Sequence, residues 1–167
     1  MAKTIIALPL AVFTLAASAN VGEKVFLASL SGNWHGSGQI RLKPDAMPLP
    51  VSCSLNSHAK GAAISLAGTC QAKIILSRRI GVDLHANGAR YTGSYVGSIR
   101  GAARLDGTRS GNTLNLQIRW PDRGSGARVA RMQVASTGPG HMRIVTIERL
   151  PKTGMPVVTA KIEFSRN

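Results

Sequence analysis

The fold class this sequence predicts is a single antiparallel β-barrel of about eight to ten strands with little helix. Three observations predict it. Apolar residues recur at every second position along several segments, as in Trp34, Gly36, Gly38, Ile40 and Leu42, or Leu114, Leu116, Ile118 and Trp120. Turn signals punctuate these segments at short intervals. The composition, with 18 Gly, 8 Pro and 44% hydrophobic residues but only 4% aromatics, suits a packed core built from many short elements. A barrel is preferred over an open sandwich because closure removes exposed strand edges.

Residues 1–19 read as a secretory signal. Lys3 supplies the basic start, residues 5–16 form an apolar stretch too short to span a bilayer, and Ala17-Ser18-Ala19 offers a small-x-small cleavage site. Residues 20–30 form an N-terminal segment with room for a short helix, since Val21, Val25, Phe26 and Leu30 partly fit helical spacing. Residues 31–167 form the barrel domain. No run of about 20 apolar residues is present, so no membrane-spanning helix is expected.

Within the domain, weaker alternation marks Val51-Cys53-Leu55, Ile64-Leu66, Ile80-Val82-Leu84 and Ala130-Met132-Val134. A last strand is expected with Val158, Ala160, Ile162 and Phe164 facing inward. Turns are expected at Ala59-Lys60-Gly61, Ala86-Asn87-Gly88, Asp106-Gly107, Ser110-Gly111-Asn112, Arg123-Gly124-Ser125-Gly126 and Gly138-Pro139-Gly140. The Leu150-Pro151-Lys152-Thr153-Gly154 segment spells a sortase-like signal but lacks the hydrophobic span that should follow. It reads as a hairpin loop.

Cys53 and Cys70 are the only cysteines, without CxxC or zinc-ligand spacing. In an exported chain such a pair forms one disulfide, worth about 3 kcal/mol through loop closure. No metal and no cofactor are expected.

The segment Gly32-Asn33-Trp34-His35-Gly36-Ser37-Gly38 resembles the opening strand of calycin-type barrels, the group holding lipocalins and nitrobindins. That resemblance implies that Trp34, with Gly36 and Gly38, closes the barrel base, and that Arg149 or Arg166 stacks on the tryptophan. The Tyr-Pro of nitrobindins is missing, and the last histidine, His141, precedes two further predicted strands, which disfavours haem. The whole chain also resembles small exported proteins common in Gram-negative alphaproteobacteria, which implies a periplasmic or secreted location.

The strongest functional signal is charge: 21 Lys+Arg against 7 Asp+Glu, a formal +14. Arg41, Lys43, Arg119, Arg131 and Arg143 are the candidate anion-binding residues, because guanidinium forks match phosphate and carboxylate geometry. The same charges also serve as a solubility surface. Nucleic acid is disfavoured because the few aromatics that might stack bases fall largely on predicted inner faces. Catalysis lacks its usual parts: there is no Gly-x-Ser-x-Gly elbow, no His-Glu-x-x-His pair and no phosphate-binding loop. Asp83 and His85 share one strand face, where a dyad is geometrically allowed.

The reading is therefore a non-catalytic periplasmic binding protein. Its ligand is either an apolar molecule within the barrel, where Gly36, Gly38 and Ala160 either leave room or serve only tight strand coiling, or an anionic envelope component such as lipid, lipopolysaccharide or acidic polysaccharide. A protein-interaction module of the envelope, an inhibitor or assembly factor, is the alternative, and an enzyme with an unrecognised site is third.

Overall fold

The alternating segments become strands of one closed sheet. The computed structural model describes residues 15–72, 76–98, 101–122, 124 and 128–167. Among them one helix precedes ten strands: α1 (Leu15–Ser29), β1 (Gly32–Ile40), β2 (Leu49–Lys60), β3 (Ala63–Ala72), β4 (Leu76–Asn87) and β5 (Arg90–Ser98) come first. They are followed by β6 (Gly101–Ser110), β7 (Thr113–Arg119), β8 (Val129–Gly138), β9 (His141–Arg149) and β10 (Pro156–Arg166). Each strand pairs antiparallel with its sequence neighbours, and β1 pairs with β10 to seal the barrel. The architecture is the expected one and is consistent with a calycin-like barrel.

Inner positions fill the core. Trp34, Tyr91, Leu105, Leu114, Ile118 and Met142 are all but inaccessible, and Val51, Leu55, Ile64, Leu84 and Met132 join them. Cys53 and Cys70 stand directly opposite across β2 and β3, Cα atoms 4.0 Å apart, and form the expected disulfide.

Gly36 and Gly38 do not leave ligand space. A Cβ on Gly36 would sit 2.3 Å from Cδ1 of Phe164, and one on Gly38 would sit 2.0 Å from the Lys161 carbonyl oxygen. Their missing side chains let β10 approach β1 closely, and an aromatic ring takes the vacated volume.

Three local expectations are corrected. Asp106-Gly107 is not a turn but lies inside β6, where Gly107 faces the β7 backbone; a Cβ there would meet the Asn115 carbonyl oxygen at 2.0 Å. In β10 the register slips between Val158 and Ala160, so Thr159 turns inward and Val158 outward. Strand β1 ends at Ile40, leaving Leu42 in an exposed loop rather than on the inner face. The turns at Gly61, Gly88, Gly111 and residues 138–140 connect strands as expected. The 123–126 turn and the signal segment lie largely outside the described residues.

Candidate functional site

Strand direction gives the barrel two unlike ends. Strands β1, β3, β5, β7 and β9 begin at one end and finish at the other. The first end is stoppered by α1. Phe26, Leu27 and Leu30 enter the core from the helix, together with Glu23, which is only 4% exposed. Val21 and Val25, expected on the packed face, point to solvent instead.

Burying a carboxylate requires partners, and Glu23 has them. Arg109 Nε and Nη2 donate to its oxygens at 2.8–3.0 Å, and the Tyr91 hydroxyl donates to Oε2. The Arg109 guanidinium also lies 5.0 Å from the centroid of the Phe26 ring. Arg109 holds the Glu23 carboxyl below its usual range against the opposing effect of burial. Burial and the neighbouring carboxylate push the Tyr91 hydroxyl up.

Beside this network Trp34 Nε1 donates to the Leu30 carbonyl at 3.1 Å and to Ser57 Oγ at 3.0 Å. The Arg166 guanidinium stacks 4.7 Å from the Trp34 centroid and donates to the Ser29 carbonyl. Of the two candidate stacking partners, Arg166 takes the place; Arg149 lies at the far end of the barrel, where it donates to the Gly154 carbonyl at 2.8 Å.

The opposite end carries inward polar groups, and among the described residues no helix lies over it. Trp120, just beyond β7, continues the inner parity of Leu116 and Ile118 and is only 7% exposed. Its Nε1 is buried and has no hydrogen-bond partner among the described residues. Tyr95 on β5 meets its ring edge-to-face, centroids 6.3 Å apart. The Tyr95 ring reaches along the strand toward the open end, its hydroxyl 2.5 Å from where a Gly97 Cβ would be.

Arg78 on β4 pairs with Cys70 across β3, on the inner face that carries Ile80 and Leu84. It forms no ion pair among the described residues. Its charge is felt at the Tyr95 hydroxyl, which is pushed up to about 12 chiefly by burial and then by Glu148, with Arg78 opposing. Glu148 is itself occupied by Arg128, which forms an ion pair with it.

The mouth therefore presents three donors: a fixed cation at Arg78, a protonated hydroxyl at Tyr95 and an unpartnered indole N–H at Trp120. Glu148 is already bonded to Arg128, and Ile80 and Ile118 belong to the same inner wall. Chemically, such a set can donate hydrogen bonds to an acceptor, an anion above all.

The sequence-predicted anion candidates are not one site. Arg41 and Lys43 stand on the β1–β2 loop at the open rim. Arg119 and Arg131 are exposed on the outer wall of β7 and β8, and Arg104 lies directly opposite Arg119. Arg143 is paired with Glu163 across β9 and β10. The Asp83–His85 idea gains no geometry, because Asp83 accepts a hydrogen bond from Ser65 Oγ at 2.7 Å. Both acid and base line a shallow outer depression of about 390 Å³ over β3, β4 and β5. Sequence reasoning missed the mouth set of Arg78, Tyr95 and Trp120. The one available signal was that all three sit at inner-parity positions, Arg78 near the start of its strand and Tyr95 and Trp120 at or just past the ends of theirs, which antiparallel order brings to one end of the barrel.

In class, then, the molecule is a ten-stranded antiparallel barrel, plugged at one end by a helix and polar within the other. Comparison of the chain with protein-family models and with curated proteins finds no match.

Proposed function

We propose that the protein is a non-catalytic binding protein for an amphiphile with an apolar body and an anionic head. The head, a carboxylate or phosphate, accepts hydrogen bonds from Trp120 Nε1 and Tyr95 Oη and pairs with Arg78 in the open mouth. The apolar body lies against the inner aliphatic wall. This unites the two ligand classes that the sequence suggested, an apolar guest and an anionic envelope component, and a periplasmic setting supplies both. The calycin-like opening strand supports an interior ligand by resemblance.

The observation that carries the reading is the buried Trp120 Nε1 without a partner. A donor left unsatisfied in a dry site costs about 1–3 kcal/mol, so an acceptor that fills the position recovers that energy on binding.

Titrating the purified protein with oleate, oleyl alcohol and oleylamine while following tryptophan fluorescence tests this. Oleate is expected to bind best, and Arg78→Gln and Trp120→Phe each to weaken oleate by about tenfold or more, as loss of a charged hydrogen bond implies. Equal binding of oleylamine, or oleate binding indifferent to both substitutions, overturns it.

A further inference from the structure

The distribution of exposed apolar side chains is uneven in a way that the interior site does not require. Eight large hydrophobic residues are exposed among the described residues. Val21 and Val25 lie on α1; the other six, Leu42, Met47, Val96, Val129, Met155 and Val158, all lie at or near the open end. Four of these share one sector, because the β1–β2 loop (residues 41–48) and the β9–β10 loop (residues 150–155) are neighbours through the β1–β10 pairing. Met47 is 80% exposed and Met155 is 60% exposed, so their side chains stand out from the surface rather than lying along it.

Both loops are braced from within. Arg41 donates from its guanidinium to the Ala46 carbonyl, and the Ala46 amide donates to the Lys43 carbonyl at 3.0 Å. In the second loop Leu150 N–H donates to the Met155 carbonyl at 2.8 Å and Gly154 N–H to the Leu150 carbonyl at 2.9 Å. The Arg41 amide donates to the Thr159 carbonyl at 2.7 Å and ties the first loop to β10, the strand that the second loop enters. The apolar tips are thus held out by fixed backbone, which lowers the ordering entropy that docking must offset.

A cationic collar surrounds them. Lys43, Arg149 and Lys152 are exposed beside the tips and Arg41 stands at their base, against the single acid Asp45. Protruding apolar tips inside a basic collar match a surface whose outer layer is anionic and whose interior is hydrocarbon.

We infer that the two loops form a docking surface for the face of an anionic phospholipid bilayer. Leu42, Met47 and Met155 enter the acyl boundary, while Lys43 and Lys152 stay at the phosphate level on their flexible stems. Docked this way, the barrel's open end faces the lipid. The inference uses residues other than the interior donors, and it stands or falls independently of Arg78, Tyr95 and Trp120.

The test is co-sedimentation of the full chain with phosphatidylcholine vesicles containing or lacking phosphatidylglycerol. Binding is expected only, or at least about tenfold more tightly, when phosphatidylglycerol is present. The variant Leu42→Ser/Met47→Ser/Met155→Ser should lose about tenfold or more in partitioning at unchanged melting temperature, since all three residues are exposed. Lys43→Glu/Lys152→Glu should lose a similar factor, and Arg119→Glu/Arg131→Glu on the outer wall should lose no more than about twofold. Wild-type partitioning by the triple serine variant overturns the inference. So does a greater loss from the outer-wall variant than from the rim variants, which would mean side-on electrostatic adsorption, and so does equal binding to vesicles lacking phosphatidylglycerol.

Discussion

Two tryptophans on the same inner surface, at opposite ends of the barrel, have opposite circumstances. Trp34 gives its indole N–H to two acceptors and lies under the Arg166 guanidinium. Trp120 is nearly as buried, yet its N–H has no acceptor. The difference teaches where the chain has settled its polar accounts within itself. The helix-plugged end satisfies every group in its network, as a purely structural element must. The other end leaves the Trp120 N–H unsatisfied among the described residues, and it is on that buried donor that the proposed binding site rests.

Four changes would break or sharpen that contrast. The largest is expected from Glu23→Ala, which leaves Arg109 and Tyr91 facing an empty position beneath α1. Breaking a buried pair costs about 3 kcal/mol or more, and chemical denaturation should show it. Trp34→Phe removes two hydrogen bonds and part of a packed ring, and should cost about 2–3 kcal/mol in the same assay. A plug that undocks without affecting the barrel would instead show faster amide exchange confined to α1, and would redefine that end as movable.

The third change is acid. Because the Glu23 carboxyl is held below its ordinary value, its contribution to stability is complete above the unfolded carboxylate range and lost as pH falls through the lower, folded value. Protection factors of the α1 amides, taken relative to intrinsic exchange at each pH, should therefore fall below about pH 4, and the Glu23→Gln variant should lose that dependence. The smallest effect belongs to Trp120→Phe. Its lost volume is offset by relief of the unpartnered N–H, so stability should stay within about 1 kcal/mol of wild type. A large destabilisation there would make the two ends alike.

Much of the architecture was legible because a barrel writes its pattern residue by residue. The inner row Trp34, Gly36, Gly38, Ile40 on β1 and the row Leu114, Leu116, Ile118, Trp120 along β7 lie as their alternation predicts. The Gly-x-Trp resemblance implied a late arginine over Trp34 but left Arg149 and Arg166 both open, and the β1–β10 pairing selects Arg166. What failed was parity where the backbone departs from regularity. The slip beside Val158 turns Thr159 inward, and no side-chain property of that segment announces it.

The helix misled for another reason. Val21 and Val25 suggested the packed face, but Arg109 and Tyr91, distant in sequence, make it possible to bury Glu23 instead. The mouth was illegible for the same cause: Arg78, Tyr95 and Trp120 belong to three strands, and only the register brings them to one level. Arg119 and Arg131 face outward on the side wall, and that position separates them from Arg41 and Lys43 at the rim.

The β1–β10 seam has a kinetic consequence. It joins Trp34 to Arg166, so the first strand along the chain has its second edge covered only when the last one docks. Contacts so distant along the chain close slowly, and until then β1 exposes an unpaired edge able to recruit another molecule. Mutations near residues 156–166 should therefore slow refolding and promote association at concentrations where the finished barrel, once sealed, stays dispersed.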